Sequence, residues 1–123
     1  MPDKPIKIPG PDHPITIEPH PGRVTVQIGA RTIADTINAL ALRENHYPSV
    51  FYIPRTDVDM ALLERSDHVS YCPYKGEASY YSLPPTVDNA ANAVWTYETP
   101  YAAVAAIEGH LAFYPDRVTI TAE

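Results

Sequence analysis

Apolar and polar residues alternate along much of the chain, which is the pattern of half-buried β-strands. Ile15 and Ile17 share one face of a first predicted strand, with polar neighbours between them. Val24, Val26 and Ile28 share one face of a second strand. Further β-prone runs lie at 33–42, 50–53, 68–72, 77–83, 93–97, 111–114 and 118–121. The run at 33–42 could also be a short helix, but we favour strand pairing there. The pattern predicts a mainly β fold.

Two short helices are predicted from the residues at their boundaries. Thr56 followed by Asp59 resembles a capping box ahead of an apolar run. Thr99 and Pro100 supply a cap residue and a first-turn proline, and Gly109 supplies a left-handed stop. These signals predict one helix after residue 56 and another between residues 100 and 109.

Length and proline content limit the architecture. A chain of 123 residues has the usual size of one domain. Proline accounts for 14 residues and is concentrated near the N-terminus, and each proline removes a backbone donor and fixes φ. We therefore expect residues 1–14 to form a proline-rich N-terminal arm and residues 15–123 to form a single domain.

Charge and cysteine content restrict the partners and the compartment. A net charge of −6 without any run of Lys or Arg argues against nucleic-acid binding. The chain has neither an apolar run long enough to span a membrane nor an apolar signal core, so no membrane contact is expected. Cys72 is the single cysteine and cannot form an internal disulfide, which favours a cytoplasmic location.

Five short motifs follow one another along the chain: Ile33-Ala34-Asp35-Thr36, Tyr52-x-Pro54-Arg55-x-Asp57-Val58, Cys72-Pro73-Tyr74-Lys75-Gly76-x-Ala78-x-Tyr80, Trp95-x-Tyr97-x-x-Pro100 and Phe113-Tyr114-x-Asp116-Arg117-Val118. Together they resemble the domain of unknown function 427 family, which also carries a nucleotidyltransferase-like label. The resemblance runs from about Arg23 to Thr121, and the Cys-Pro-Tyr-Lys-Gly string is its most specific part.

The resemblance implies a β-tent-type domain, in which two small antiparallel sheets lean together and enclose a cleft. Several β-tent relatives hold zinc with paired cysteines. Because this chain has one cysteine and five scattered histidines, we expect no structural zinc and no other cofactor.

Aromatic and cationic residues in the motifs indicate a ligand-binding cleft. Tyr52, Tyr74, Tyr80 and Trp95 are the candidate aromatic lining, with core packing as the alternative for Trp95. Arg55 is suited to bidentate capture of an anion, with loop anchoring as its alternative.

Three further residues are candidates for catalysis. Cys72 lies three residues before Lys75, whose charge would favour a reactive thiolate. A buried, inert thiol is the alternative for Cys72, and pairing with a nearby acid is the alternative for Lys75. Asp57 is the candidate general base, with helix capping as its alternative.

Three functional hypotheses remain open. The leading one is a small-molecule-binding domain with an aromatic, cationic cleft for an anionic or carbonyl-bearing ligand. The second is an enzyme that uses Cys72 or Asp57, with Lys75 stabilising developing negative charge. The third is a non-catalytic homodimer whose tyrosine-rich strands form a partner surface.

Overall fold

The computed structural model describes residues 4–123. These residues form ten β-strands, numbered here in chain order: β1 (Ile15–Pro19), β2 (Val24–Ile28), β3 (Arg31–Thr36), β4 (Leu40–Glu44), β5 (Val50–Tyr52), β6 (Glu64–Cys72), β7 (Gly76–Ser82), β8 (Val94–Thr96), β9 (Leu111–Phe113) and β10 (Thr119–Ala122). The predicted mainly β fold is confirmed. None of the helices in this part of the chain is long and apolar enough to cross a membrane.

The strands form three antiparallel sheets, where two were expected. The first sheet has the order β1-β4-β5, the second β10-β2-β3 and the third β6-β7-β8-β9. A single antiparallel bridge joins the first sheet to the third, because Ile53 and Leu111 exchange two backbone hydrogen bonds of 2.8 Å. Pro54 follows Ile53 and has no N–H to donate, so this pairing does not extend into a longer ladder.

The ambiguous run at 33–42 is strand, as favoured from the sequence. It divides between β3 and β4, which belong to different sheets. Gly29 forms the hairpin bend between β2 and β3 with a φ of 59°, a left-handed value that glycine adopts without a Cβ clash.

The predicted helices are present as short 3₁₀ segments rather than as α-helices. The first is split into Arg55–Asp57 and Met60–Leu62, and neither part has a side-chain cap, so the capping-box prediction is wrong. The split arises because the backbone at residues 58 and 59 pairs with β3 instead of continuing the helix. The second segment is Ala102–Ile107, and Gly109 follows it with the predicted left-handed φ, of 69°.

Two hydrophobic clusters lie on opposite faces of the third sheet, because successive side chains of a strand point to opposite faces. Tyr81 of β7 packs into the first cluster, together with Val24 and Val26 of the second sheet. Tyr80, one residue earlier, packs into the second cluster, together with Leu42 and Tyr52 of the first sheet. The candidate site lies in the second cluster.

The N-terminal residues from Lys4 onwards run along the hairpin of β6 and β7. The Lys7 N–H donates to the Pro73 carbonyl at 2.9 Å, and the Tyr71 hydroxyl donates to the Pro5 carbonyl at 2.6 Å. The predicted arm at 1–14 begins outside the described residues, and its boundary stays a prediction.

Candidate functional site

An aromatic cavity of about 240 Å³ lies between the first and third sheets. Six aromatic side chains contribute to its wall: Tyr47, Tyr52, Tyr80, Trp95, Tyr97 and Tyr114. Leu42 and Val50 contribute apolar surface from the first sheet. The cavity wall therefore combines rings and aliphatic groups with the polar atoms of Glu44, Lys75 and the tyrosines.

Strand register explains why these rings meet. Tyr80 of β7 and Ala112 of β9 lie directly opposite Trp95 of β8, so the three residues share one face of the third sheet. Tyr114 follows two residues after Ala112 and lies against the indole, with ring centroids 4.6 Å apart. The small side chain of Ala112 leaves room for the large indole between its neighbours.

The polar atoms of the rings are partly paired with one another. The Trp95 indole N–H donates to the Tyr52 hydroxyl at 3.2 Å, and the two rings are nearly perpendicular. Burial raises the pKa of Tyr52 well above its ordinary value, although the Trp95 hydrogen bond opposes this effect. The Tyr80 hydroxyl forms a 2.8 Å hydrogen bond with Ser70.

An ion pair closes one end of the cavity. The Lys75 ammonium, on a residue that is 8% exposed, donates to the Glu44 carboxylate, and both side chains contribute to the cavity wall. His13 forms a 2.7 Å hydrogen bond with the other carboxylate oxygen and stacks on Tyr74, with ring centroids 4.1 Å apart. Burial alone would raise the pKa of Glu44, but hydrogen bonds and charge from Lys75 and His13 lower it overall.

The turn between β6 and β7 fixes the backbone of Lys75. Its N–H donates to the Cys72 carbonyl at 3.2 Å, and its carbonyl accepts from the Tyr101 N–H at 3.0 Å. Gly76 then adopts a φ of 110°, a conformation that residues with a side chain rarely adopt. The ammonium therefore extends from an anchored turn.

Four of the eight predicted site residues line this cavity: Tyr52, Lys75, Tyr80 and Trp95. Tyr74 lies behind the ion pair, against His13. Cys72 is half-buried and packs against the second hydrophobic cluster beside the cavity.

Arg55 and Asp57 lie elsewhere. The exposed Arg55 guanidinium donates to the Tyr81 hydroxyl at 3.1 Å, on the opposite face of β7 from Tyr80. The Asp57 carboxylate accepts a 2.7 Å hydrogen bond from the Thr36 hydroxyl and caps no helix. The structure therefore does not bring the predicted second cation or the predicted general base to the cavity.

Several residues of the site were not predicted from the sequence. Glu44 lies two residues after Leu42 in β4, on the same inward-facing side of the strand. An acidic residue on an otherwise apolar face is a sequence signal that could have identified Glu44. Alternation along the predicted strand at 93–97 puts Tyr97 on the same face as Trp95, which is a signal that could have found it. His13 gives no sequence signal, because its contact depends on the path of the N-terminal segment.

Metal ligands are not assembled here. Within residues 4–123 no group of three or more His, Cys, Asp or Glu side chains is placed to hold a metal ion.

A larger depression of about 680 Å³ lies on another side of the molecule, between the β2–β3 hairpin and the loop after β7. It contains none of the predicted site residues. The Arg117 guanidinium at its edge already donates to the carbonyls of Asn89 and Ala91. The smaller aromatic cavity is the better candidate, because charged and aromatic groups converge there.

Comparison with known proteins gives a family without a reaction. No curated protein matches the chain. A family model described as a domain of unknown function, DUF427, matches residues 16–123, and the nucleotidyltransferase-like wording is its label. This range contains every predicted site residue, and it confirms the resemblance that the five motifs indicated. The chain belongs to the DUF427 family.

Proposed function

We propose that the chain binds a small molecule in the aromatic cavity. The observation that carries the proposal is the convergence of Tyr52, Tyr80, Trp95 and Lys75, from four separate parts of the sequence, on one cavity. Concave, largely apolar cavities with a few oriented polar groups are the usual form of ligand sites. The sheets support the site, because the rings of Tyr52, Tyr80 and Trp95 project from paired strands.

The volume limits the size of the ligand. A cavity of about 240 Å³ holds roughly eight water molecules at ~30 Å³ each. A ligand of about the same number of non-hydrogen atoms fits, for example a single six-membered ring with one short substituent. A nucleoside triphosphate is larger than this volume and would have to extend out of the cavity, so the dimensions give the nucleotidyltransferase-like label no support.

The test uses the indole of Trp95 as a reporter, because it is the single tryptophan of the chain. Its N–H signal in an amide-correlation NMR spectrum reports on the cavity. A library of neutral, anionic and cationic ring fragments of this size is screened against the wild type and two variants. Val50→Phe fills the cavity, and Val69→Phe makes the same change at an exposed position of β6.

Fragments that shift the Trp95 signal in the wild type and in Val69→Phe, but not in Val50→Phe, would support the proposal. Two results would overturn it: no fragment shifts the signal, or the shifts persist when Val50→Phe fills the cavity.

A second proposal, catalysis by Cys72, has one supporting observation. The half-buried thiol packs against the cluster that forms the cavity wall. Asp57 lies outside the cavity, so the enzyme proposal rests on Cys72. It predicts alkylation of folded protein by iodoacetamide well below pH 8, slowed by Lys75→Ala. Labelling that requires denaturation would exclude Cys72 as the nucleophile.

The homodimer hypothesis has less support. It requires a contiguous patch of exposed tyrosines, and among residues 4–123 Tyr47 is the one tyrosine with a mostly exposed side chain. Light scattering tests the hypothesis directly, and a monomer at high concentration would exclude it.

The β-tent assignment and the cytoplasmic location also stand as proposals. The β-tent assignment is supported by the resemblance of the motifs and by a cavity that lies between two sheets. The free thiol of Cys72 supports the second, because reducing compartments keep such thiols unpaired.

A further inference from the structure

We infer that the cavity selects a neutral ligand whose oxygen accepts a hydrogen bond from the Tyr97 hydroxyl. An amide, a ketone or an ester has this chemistry. The inference rests on the proposed small-molecule function and adds the class of ligand and the residue that selects it.

Tyr97 provides the unused donor. The residue is 6% exposed and lines the cavity, yet its hydroxyl has no hydrogen-bond partner among residues 4–123. Every side-chain polar atom that is sealed from solvent in this part of the chain does have a partner. The Tyr97 hydroxyl must therefore open onto the cavity, where a ligand can meet it. A polar group this buried contributes most to affinity when a ligand pairs with it.

Tyr52 provides a second donor beside it. Its oxygen already accepts the Trp95 N–H, so its own proton remains to be donated. Burial raises the pKa values of both Tyr52 and Tyr97 far above neutrality. Both hydroxyls therefore keep their protons at neutral pH, and each can donate to an oxygen acceptor on a ligand.

The charges around the cavity favour a neutral ligand. The Lys75 ammonium is already matched by the Glu44 carboxylate, and the predicted second cation, Arg55, lies on the far side of β7. A carboxylate ligand would lie beside Glu44 without an unmatched cation to offset its desolvation. A cationic ligand would meet the aromatic faces but also the Lys75 ammonium.

The experiment compares four probes of similar size with the full chain at neutral pH. Benzamide is neutral with a carbonyl, benzoate is anionic, benzylammonium is cationic, and propylbenzene has no acceptor. Dissociation constants are measured from Trp95 fluorescence and from the shift of its indole N–H. We expect benzamide to bind more tightly than the other three. Equal or tighter binding of benzoate or benzylammonium would overturn the inference of a neutral ligand.

Two variants test the role of Tyr97. Tyr97→Phe removes one hydroxyl from the cavity and is expected to weaken benzamide binding about five- to tenfold, with propylbenzene binding unchanged. Tyr101→Phe is the matched control, because it removes a hydroxyl that bonds Tyr71 outside the cavity. It should leave both affinities unchanged. An equal loss for benzamide and propylbenzene in Tyr97→Phe would show that the hydroxyl supports the fold rather than the ligand, and would overturn the assignment.

The inference and the proposed function fail in different ways. If the Val50→Phe comparison shows fragments in the cavity but benzoate binds best, the binding function stands and the ligand class is wrong. If no fragment shifts the Trp95 signal, the function itself is wrong and the inference falls with it.

Discussion

The ion pair between Glu44 and Lys75 offers a quantitative test of the site. Glu44→Gln keeps the size and shape of the side chain but removes its charge, and it leaves the Lys75 ammonium buried without a charged partner. The side chains of Lys75 and Glu44 are 10% and 20% exposed, respectively. The cost of disrupting this pair should therefore fall between that of exposed pairs, which contribute about 0–1 kcal/mol, and that of buried pairs, whose disruption costs about 3–5 kcal/mol.

We expect Glu44→Gln to lower the free energy of unfolding by about 2–3 kcal/mol at pH 7. The remaining exposure and the hydrogen-bonding capacity of glutamine keep the value below that of a fully buried pair. Adding Lys75→Met to this variant removes the unpaired ammonium charge. The double variant should therefore be more stable than the sum of the two single changes predicts, by about 1 kcal/mol or more.

The same pair fixes the direction of a pH dependence. The folded-state pKa of Glu44 lies below its ordinary value of 4.5, so its ionised form stabilises the fold above that pH. This stabilisation is lost as the pH falls through the folded-state pKa. The stability difference between wild type and Glu44→Gln should therefore shrink as the pH is lowered below 4.5.

Urea unfolding followed by Trp95 fluorescence measures these quantities. Glu98→Gln is the matched control, because it makes the same substitution in the Arg65–Glu98 pair, whose side chains are 52% and 45% exposed. It should cost about 1 kcal/mol or less. The reasoning is refuted if Glu44→Gln costs no more than Glu98→Gln, or if the Glu44 and Lys75 changes are additive.

Three further substitutions test other parts of the structure. Arg55→Ala should leave benzamide affinity unchanged and cost about 1 kcal/mol or less in urea unfolding, because its contact with Tyr81 lies outside the cavity; a fivefold loss of affinity would place Arg55 back in the site. Gly76→Ala should destabilise the fold by about 1–3 kcal/mol because a residue with a side chain is strained at a φ of 110°. A steric clash is not the cause, because the added Cβ meets no atom closer than 3.5 Å. An unchanged urea midpoint would contradict this prediction. Thr36→Val should cost about 1–2 kcal/mol because the buried hydroxyl donates to Asp57 and accepts from the Asn38 N–H, and neutral stability would show that these two hydrogen bonds contribute nothing together.

The sequence carries most of the information about the strands. Alternation depends on neighbouring residues, so it predicted the ladder positions and placed Trp95 and Tyr97 on one face. Helix type depended on contacts that alternation does not encode. The residues after Thr56 carry a capping pattern, yet backbone pairing of the following segment with β3 limits them to separate 3₁₀ turns.

The site was harder to predict because its members meet through sheet order. Glu44 and Lys75 are 31 residues apart, and their contact follows from the packing of the first sheet against the third. Arg55 is only three residues from Tyr52, but the chain turns after Pro54 and the two side chains reach different faces. Anion-binding chemistry within a motif therefore favoured Arg55, whereas Glu44 lies outside the five motifs.

The register of β7 decides which charges the ligand meets. Tyr80 and Tyr81 are adjacent, but one faces the cavity and the other faces the guanidinium groups of Arg55 and Arg65. A slip of one residue would exchange these faces, so that Tyr81 would face the cavity and Tyr80 would face the side that carries Arg55 and Arg65. The slip is prevented because β7 pairs with strands on both of its edges, with Tyr80 held opposite Trp95. The same pairing that assembles the rings therefore also excludes the arginines, and this is why an aromatic site next to a cationic surface is expected to prefer a neutral ligand.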